Sequence, residues 1–315
     1  MSKTIDFSTQ LIIGGRPLPG VDGKTFDTIN PANGKVLASI AEASSEDVNK
    51  AVSSARKAFE EGPWSKMAPS ERKKVLLRFA TVIEAHSEEL AMMEAMEAGK
   101  PITDCLEIDM PETVNTLRWH AEAIDKLYDQ ISPSDPSVLS MIVKEPMGVV
   151  AAILPWNFPI MMAAWKLGPI LATGNTVILK PAEQTSLSTI RIGELAAEAG
   201  IPDGVINVVC GFGETVGKAL GEHPEVDCVA FTGSTETGRM FLRYSADTNL
   251  KRVLLECGGK NPFIVMEDTE DLDTAADHAT NSIFWNMGEN CSSNSRLLVH
   301  QSIKDQLLEL ILEKS

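Results

Sequence analysis

Two patterns of apolar residues divide the sequence near residue 148. Before that point, apolar residues recur at helical spacing in the segment 44–64, where Ser44 and Ser45 are the N-cap candidates. The segment 70–101 repeats this pattern and closes on Gly99, so the sequence predicts one long helix there. We therefore expect the first 130 residues to be rich in helices and poor in strands.

Beyond residue 148, short β-branched runs alternate with helical stretches. The runs are GVVAAILPW, TVILKP, VINVVCG, DCVAFTG and KRVLLECGG. The helical stretches between them are Ile160 to Thr173, Ser186 to Gly200, Glu214 to His223 and Glu236 to Ala246. This alternation is typical of an α/β fold with a parallel sheet and helices on both faces. Such sheets bind ligands beyond the carboxyl ends of their strands.

The same alternation begins again after residue 258. The strand NPFIVME, a helix over 271–286, a loop with Cys291, the strand RLLVH and a final helix follow one another. The final helix carries an apolar stripe that requires a partner: Ile303, Leu307, Leu308, Leu310 and Ile311. Between the two halves, the segment 131–148 is rich in turn residues and then predicts a short strand.

Composition and charge exclude several classes of protein. The chain of 315 residues is 43% hydrophobic and 23% charged, as in ordinary globular proteins. Its net charge of −16 argues against a nucleic-acid partner, since such partners require a basic patch. No apolar run has membrane-spanning length, and the N-terminus lacks the apolar core of a signal peptide. Five widely spaced cysteines without a C-x-x-C pair indicate neither a metal site nor a disulfide framework, which favours a cytoplasmic location.

Four motifs and one cysteine together carry a resemblance. The motifs are LPWNFP at 154–159, KPAEQT at 180–185, FTGSTETG at 231–238 and LECGGK at 255–260, and Cys291 stands 35 positions after Glu256. In order and spacing this set resembles the aldehyde dehydrogenase superfamily, from about residue 10 to the last residue. The stretches IDMPETVNTLRWHAEAIDK and NLKRVLLECGGK resemble its bacterial ω-aminoaldehyde and γ-glutamyl-γ-aminobutyraldehyde branch.

The resemblance implies a catalytic cysteine. Oxidation of an aldehyde needs a nucleophile that forms a tetrahedral adduct, and a thiolate suits this step. A free cysteine is more often a buried apolar residue, and we keep that interpretation for the three that no motif contains: Cys105, Cys210 and Cys228. For Cys291 the resemblance implies the nucleophile, which passes through a thiohemiacetal and a thioester. It also implies that Glu256 is the general base for thioester hydrolysis, with a structural ion pair as the alternative.

Two further catalytic roles follow from the resemblance. Asn157 would donate its side-chain amide to the oxyanion of the adduct, with a turn-stabilising asparagine as the alternative. Lys166 would relay the proton of the base, although a surface lysine with a solvated ammonium fits its surroundings almost as well.

The resemblance also implies NAD as the cofactor, although the sequence has no G-x-G-x-x-G motif. Lys180 and Glu183 would bind the adenosine ribose, and the Glu183 carboxylate would repel the 2′-phosphate of NADP. Ser234 would contact the pyrophosphate at a helix N-terminus. Further cofactor contacts, each equally open to an interpretation as packing, are Ile153, Pro155, Trp156, Gly213, Gly217, Phe231 and Cys257.

For the aldehyde substrate, the resemblance implies Asp109, Phe158 and Trp165. Because Asp109 matches an acidic residue of cation-preferring relatives, we expect ω-amino or guanidino aldehydes to be preferred. The alternative is that Asp109 lies on a solvated helix face. The chain departs from the usual family pattern at Glu289, normally Gln, where an added carboxylate could raise the pKa of the cysteine thiol. It departs again at Cys257, normally Leu or Ala.

The implied architecture is the aldehyde dehydrogenase fold, with a Rossmann-like parallel sheet and an incomplete α/β catalytic domain. Residues 1–130 and 147–257 would form the NAD-binding domain, 131–146 an oligomerisation arm, and 258–315 the first part of the catalytic domain. Family members continue well past residue 315 and form homo-oligomers, so activity of this chain alone is doubtful. Two alternatives stay open: an NAD-binding fragment without turnover, and a CoA-acylating relative, against which Glu256 counts.

Overall fold

The computed structural model describes residues 7–315. Its strands are β1 Leu11–Ile13, β2 Arg16–Leu18, β3 Thr25–Asn30, β4 Lys35–Ala41, β5 Gln130–Ser132, β6 Ser140–Ile142, β7 Val149–Ile153, β8 Thr176–Lys180, β9 Ile206–Val208, β10 Cys228–Thr232, β11 Arg252–Glu256, β12 Pro262–Val265 and β13 Arg296–Val299. Its α-helices are α1 Ser45–Glu60, α2 Pro69–Ala85, α3 Ser87–Ala98, α4 Ile102–Asp104, α5 Met110–Ala123, α6 Pro159–Ala172, α7 Leu187–Glu198, α8 Lys218–Glu222, α9 Thr235–Ala246, α10 Leu272–Phe284 and α11 Lys304–Lys314. Short π-helical turns cover Cys105–Asp109 and Gly213–Gly217, and 3-10 turns cover Ile124–Lys126 and Trp285–Gly288.

The main sheet has the strand order β11-β10-β7-β8-β9-β1-β2. Strands β10, β7, β8 and β9 pair in parallel, and each corresponds to one of the β-branched runs after residue 148. Strands β1 and β2 extend the sheet in antiparallel pairing. The prediction of a strand-poor beginning was wrong, because four strands lie between Leu11 and Ala41. Two of them are only three residues long, too short to show an alternating pattern.

Capping explains the helix boundaries in the first part of the chain. Helix α1 begins where predicted, because Ser44 and Asp47 form a reciprocal capping box. The predicted long helix over 70–101 is two helices, α2 and α3. They separate at His86, whose backbone leaves the helical region (φ −105°, ψ 17°). Gly99 ends α3 in the left-handed conformation that glycine adopts readily (φ 77°).

The segment predicted as an oligomerisation arm contains a β-hairpin. Strands β5 and β6 pair in antiparallel register, so the segment has two strands where one was predicted. Its large apolar side chains are mostly exposed: Ile131, Val138, Leu139, Met141, Ile142 and Val143.

The chain divides into two compact units close to the predicted boundary at 257. One runs through Thr232 and includes Glu236–Leu255, and the other comprises Gly233–Thr235 and Glu256–Ser315. The second unit has a core of its own, built on Val265, Ala276 and Leu307. The apolar stripe of the final helix therefore finds part of its partner within the chain: Ile303, Leu307, Leu310 and Ile311 pack into this core, whereas Leu308 stays exposed.

Candidate active site

The segment that carries Asn157 follows the carboxyl end of the central strand β7. Leu154 still bonds to the sheet, since its N–H donates to the carbonyl of Lys180 at 2.9 Å. The chain then leaves the sheet and enters α6 at Pro159, a first helical residue that needs no N–H. Phe158 is buried, Asn157 is partly buried, and Trp156 is exposed. Asn157 thus lies at the edge of the parallel sheet where ligand sites are expected.

Lys166 lies seven residues after Pro159, on α6. Its side chain is partly buried, and its Nζ donates to Oγ1 of Thr232 at 2.7 Å. Thr232 is buried at the carboxyl end of β10. The ammonium is therefore held against the sheet end, which differs from the fully solvated surface lysine left open as the alternative.

Asp109 is neither exposed nor on a solvated helix face. It ends the π-helical turn before α5, is 1% exposed, and its Oδ2 lies 2.5 Å from Nζ of Lys100. Burial raises the pKa of Asp109, and the neighbouring Lys100 opposes that shift. The solvated-face alternative is thus wrong. The predicted contact of Asp109 with a substrate amine stays a prediction. The ion pair with Lys100 argues against it, because the carboxylate already has a buried cationic partner.

A pocket of about 500 Å³ opens between α5 and α6. Trp119 and Trp165 form part of its wall with half or more of their surface exposed, and Glu112, Asn115 and His120 also line it. Of the three residues predicted to contact the substrate, only Trp165 lines this pocket. Helical periodicity would have predicted the lining residues on α5, because Glu112, Asn115 and Trp119 recur at intervals of three and four on one face of that helix.

Lys180 and Glu183 form the predicted pair at the end of β8. Lys180 is buried and its Nζ lies 3.3 Å from Oε2 of Glu183, which is about one third exposed. Burial lowers the pKa of Lys180, and Glu183 counteracts this by favouring the charged ammonium. A carboxylate fixed by a buried cation yet open to solvent suits recognition of sugar hydroxyls.

The other residues predicted to bind the cofactor differ in exposure. Gly213 is exposed, and a Cβ added there would meet no atom within 4 Å, which leaves room for a ligand to approach the backbone. Phe231 is buried against the ring of Phe241, with centroids 5.1 Å apart, so packing accounts for its position. Trp156 is exposed, whereas the following residues are buried: Ile153, Pro155 and Gly217. In the second unit, Ser234 is exposed directly before α9, and Cys257 is partly buried.

Glu256 and Cys291 come together in the second unit. The Glu256 carboxylate lies close enough to the Cys291 thiol to act on its pKa, and Oε1 of Glu256 accepts from the N–H of Gly258 at 3.2 Å. The pKa of Cys291 is raised by burial first and by the negative charge of Glu256 second, while backbone N–H groups lower it. Two residues chosen from separate motifs, 35 positions apart, therefore form one acid–thiol pair.

The loop around Cys291 is held by its own polar residues. Oδ1 of Asn290 accepts from the N–H of Ser292 at 3.1 Å, and Nδ2 of Asn261 donates to the Ser292 carbonyl at 3.0 Å. Upstream, Asn286 and Met287 adopt left-handed backbone conformations (φ 53° and 61°), so α10 ends earlier than predicted. Non-glycine residues in this region are strained, and such strain is found most often at functional sites. Cys291 therefore stands on a constrained turn.

Removal of the Glu256 charge should lower the pKa of the Cys291 thiol. A negative neighbour disfavours the thiolate, so Glu256→Gln should shift the pH midpoint of iodoacetamide alkylation at Cys291 downward. Alkylation at pH 7 should accelerate accordingly. Peptide mapping by mass spectrometry separates Cys291 from Cys257, which serves as the internal control. An unchanged or higher midpoint would contradict the contact between the two side chains.

Comparisons with known proteins all identify the same family. A family model described as "Aldehyde dehydrogenase family" matches residues 19–315. The chain is 55% identical over 311 residues to the aminoacetaldehyde dehydrogenase of Pseudomonas aeruginosa, covering 99% of this chain and 63% of that protein. It is 47% identical to the NADP/NAD-dependent aldehyde dehydrogenase PuuC of Escherichia coli, with coverage of 99% and 63%.

Solved structures give the same result. A crystal structure of an indole-3-acetaldehyde dehydrogenase with NAD+ superimposes with a TM-score of 0.97 at 50% identity, over 98% of this chain and 62% of that one. The γ-glutamyl-γ-aminobutyraldehyde dehydrogenase of Burkholderia cenocepacia J2315 superimposes with a TM-score of 0.96 at 49% identity, with the same coverage. The chain thus spans about three fifths of the length of these relatives. Within residues 7–315, no helix is long and apolar enough to cross a membrane, and no cluster of His, Cys, Asp or Glu could hold a metal ion.

Proposed function

Because this chain belongs to the aldehyde dehydrogenase family, we propose that the protein that contains it oxidises an aldehyde to a carboxylic acid with NAD, through a thioester on Cys291. The contact between the Cys291 thiol and the Glu256 carboxylate is the observation that carries this proposal. The test uses this chain continued to the length of its relatives, incubated with an aldehyde and NAD. NADH and the free carboxylic acid should form in equal amounts without CoA, and an absolute requirement for CoA would instead establish the acyl-transferring alternative.

Each residue in this proposal has a task that its chemistry suits. The Cys291 thiolate attacks the aldehyde carbon, and the side-chain amide of Asn157 donates to the oxygen that becomes an anion. NAD, which Lys180 and Glu183 would hold by its adenosine ribose, would supply the hydride acceptor for this oxidation. Glu256 then takes a proton from water as that water attacks the thioester, and the thiolate leaves. In the proposed relay, the proton that Glu256 takes up then passes to Lys166.

The Cys291–Glu256 contact fits the last of these steps best. Burial raises the pKa of the Cys291 thiol most, and the negative charge of Glu256 raises it further. The Glu256 carboxylate therefore disfavours the thiolate that the first attack needs. Glu256 is therefore assigned to the hydrolysis of the thioester.

The fit of NAD to the first unit rests on Glu183. Its carboxylate is anchored by buried Lys180 and stays partly exposed, so it can accept hydrogen bonds from both ribose hydroxyls. The 2′-phosphate of NADP would place negative charge beside it. Since one relative is named for both cofactors, the choice between them is a property of individual proteins.

Glu183→Gln should narrow the preference for NAD over NADP. We expect NADP binding to tighten by about tenfold because the like-charge repulsion is removed, with NAD binding weakened by less than that. Titration of each nucleotide by protein fluorescence measures both affinities without turnover. Glu198→Gln, which removes an exposed carboxylate at the end of α7, is the control. A wild-type protein that binds NADP more tightly than NAD would contradict this assignment.

The pocket between α5 and α6 supports a cationic aldehyde as the substrate. Two exposed indole rings, Trp119 and Trp165, attract an organic ammonium through their faces, and Glu112 adds a negative charge. We therefore propose that an ω-aminoaldehyde is preferred. Glu112 now carries this proposal better than Asp109, whose charge Lys100 already neutralises.

Glu112→Gln should lower kcat/KM for an ω-aminoaldehyde by about tenfold, through KM, and leave an alkyl aldehyde of equal length unchanged. Glu107→Gln, on the π-helical turn and outside the pocket, is the matched control. Equal losses for both aldehydes would show that Glu112 acts through structure and not through the ammonium.

We further propose that the β5–β6 hairpin joins copies of the protein into a homo-oligomer. Its side chains Ile131, Leu139 and Met141 are each more than half exposed, and such apolar patches mark interaction surfaces. Sedimentation of Leu139→Asp beside the unaltered protein tests this, since an unchanged mass would exclude the hairpin. A cytoplasmic location also stays a prediction, consistent with five unpaired cysteines.

A further inference from the structure

Three charged side chains are buried together in the first unit: Glu94, Lys100 and Asp109. Their exposures are 1%, 3% and 1%. Lys100 and Asp109 neutralise each other at 2.5 Å, which leaves Glu94 as the unmatched charge. Burial raises the pKa of Glu94 to about 7; Ser188, Lys100 and the Ile160 N–H lower it, and Asp109 raises it. Burying a charged side chain costs free energy unless it is paired or hydrogen-bonded. We therefore expect the contacts of these three side chains to have a role in the fold.

Glu94 supplies the cap that helix α6 lacks. The residue in the N-cap position, Phe158, has no acceptor in its side chain, and Pro159 has no N–H. The next donor is the N–H of Ile160, and Oε2 of Glu94 accepts it at 3.3 Å. The hydroxyl of Ser188 donates to Oε1 of the same carboxylate and fixes its orientation. A carboxylate at this end of α6 is also favoured by the helix dipole.

Lys100 holds the residue on the other side of the turn. Its Nζ donates to the carbonyl of Asn157 at 3.4 Å and stands 4.2 Å from the centroid of the Phe158 ring. Asp109 holds the ammonium in place through its ion pair. Glu94, on α3, thus binds the backbone at Ile160, and Lys100, just after α3, binds the backbone at Asn157.

We propose that Glu94 and Lys100 are positioning residues, which fix the backbone around Asn157 so that its amide meets the developing oxyanion. This inference rests on the proposed function, in which the Asn157 side chain is an oxyanion donor. Such donors act because they are already in place when the charge develops. A displacement of a catalytic group by about 1 Å can lower the rate about a hundredfold, and we expect loss of the cap to displace Asn157 by a distance of this order.

The test measures acylation of Cys291 by p-nitrophenyl acetate, which needs no cofactor, as the burst of nitrophenolate. The protein is this chain continued to the length of its relatives. Glu94→Met keeps the size of the side chain and removes the acceptor, so the maximal acylation rate should fall by about 10- to 100-fold with the ester KM changed less than about threefold. Glu94→Gln retains an acceptor for Ile160 and should stay within about fivefold of the unaltered protein.

Glu97→Met is the matched control. Glu97 lies one turn along the same helix, is equally buried, and accepts from the N–H groups of Ser186 and Leu187 at the start of α7. Its loss should destabilise the fold by an amount similar to the loss of Glu94, seen as a lower melting temperature. Acylation should change by less than about threefold, because α7 does not carry Asn157. An equal loss of acylation in both variants would overturn the inference.

A double-mutant cycle with Asn157→Ala separates the two proposals. Asn157→Ala alone should slow acylation by about 10²- to 10³-fold, and a smaller loss than threefold would refute its role as oxyanion donor. If Asn157 acts as proposed, Glu94→Met should have little further effect in the Asn157→Ala background. Full additivity would overturn the positioning role while leaving the oxyanion role intact. Should Glu94→Met fail to fold, Ser188→Ala takes its place in the cycle, with an expected loss of about three- to tenfold, and no loss would overturn the inference.

Discussion

Cys291→Ala should abolish aldehyde oxidation and ester hydrolysis together. The thiol is the only group in the proposal that forms a bond to the substrate, so its removal eliminates the covalent route for both reactions. Loss of the nucleophile in a covalent enzyme costs at least about 10³-fold in kcat. Intact-mass spectrometry after mixing with aldehyde and NAD should show the acyl adduct on the unaltered protein and none on the variant.

Cys257→Ala is the control for this prediction. Cys257 is also unpaired and partly buried, and it follows Glu256 directly. It should retain the acyl adduct and most of the oxidation rate. An adduct that persists on Cys291→Ala, or disappears on Cys257→Ala, would move the nucleophile to Cys257 and overturn the assignment. Unchanged nucleotide affinity in Cys291→Ala would show that the effect lies in the chemistry and not in folding.

The sequence predicted best those features that depend on neighbouring residues. The parallel strands β7 to β10 follow from continuous apolar runs, since a strand buried on both faces leaves no alternation to misread. The start of α1 follows from Ser44, because a cap acts within one turn. The Cys291–Glu256 pair was predicted by resemblance and not by spacing, since no local rule brings together residues 35 positions apart.

The features that were missed depend on contacts between distant segments. Asp109 looks like a surface carboxylate in IDMPET, and only the fold shows that Lys100 buries beside it. In the same way, Glu94 in a methionine-rich helix gives no sign that it caps α6, 66 positions away. The antiparallel extension of the sheet by β1 and β2 was missed because three-residue strands are set by their partners and not by their own pattern.

Glu256→Gln should separate the two halves of the reaction. Acylation needs only the thiolate and the oxyanion donors, and the loss of a negative neighbour favours that thiolate. Deacylation needs a base to activate water, and its loss costs about 10²- to 10⁴-fold. We therefore expect one equivalent of NADH to form rapidly, followed by a slow steady state, with the acyl-enzyme as the main species in the mass spectrum.

Two controls make this result specific to the base. Hydroxylamine attacks a thioester without needing a base to activate it, so it should restore turnover in Glu256→Gln more than in the unaltered protein. Glu289→Gln removes a different carboxylate, two residues before Cys291, and should leave both phases within about threefold. Equal slowing of the burst and of the steady state in Glu256→Gln, with no accumulated adduct, would assign Glu256 to the activation of the thiol. The proximity of Glu256 to Cys291 would then serve acylation, and the base for hydrolysis would have to be sought elsewhere in the protein.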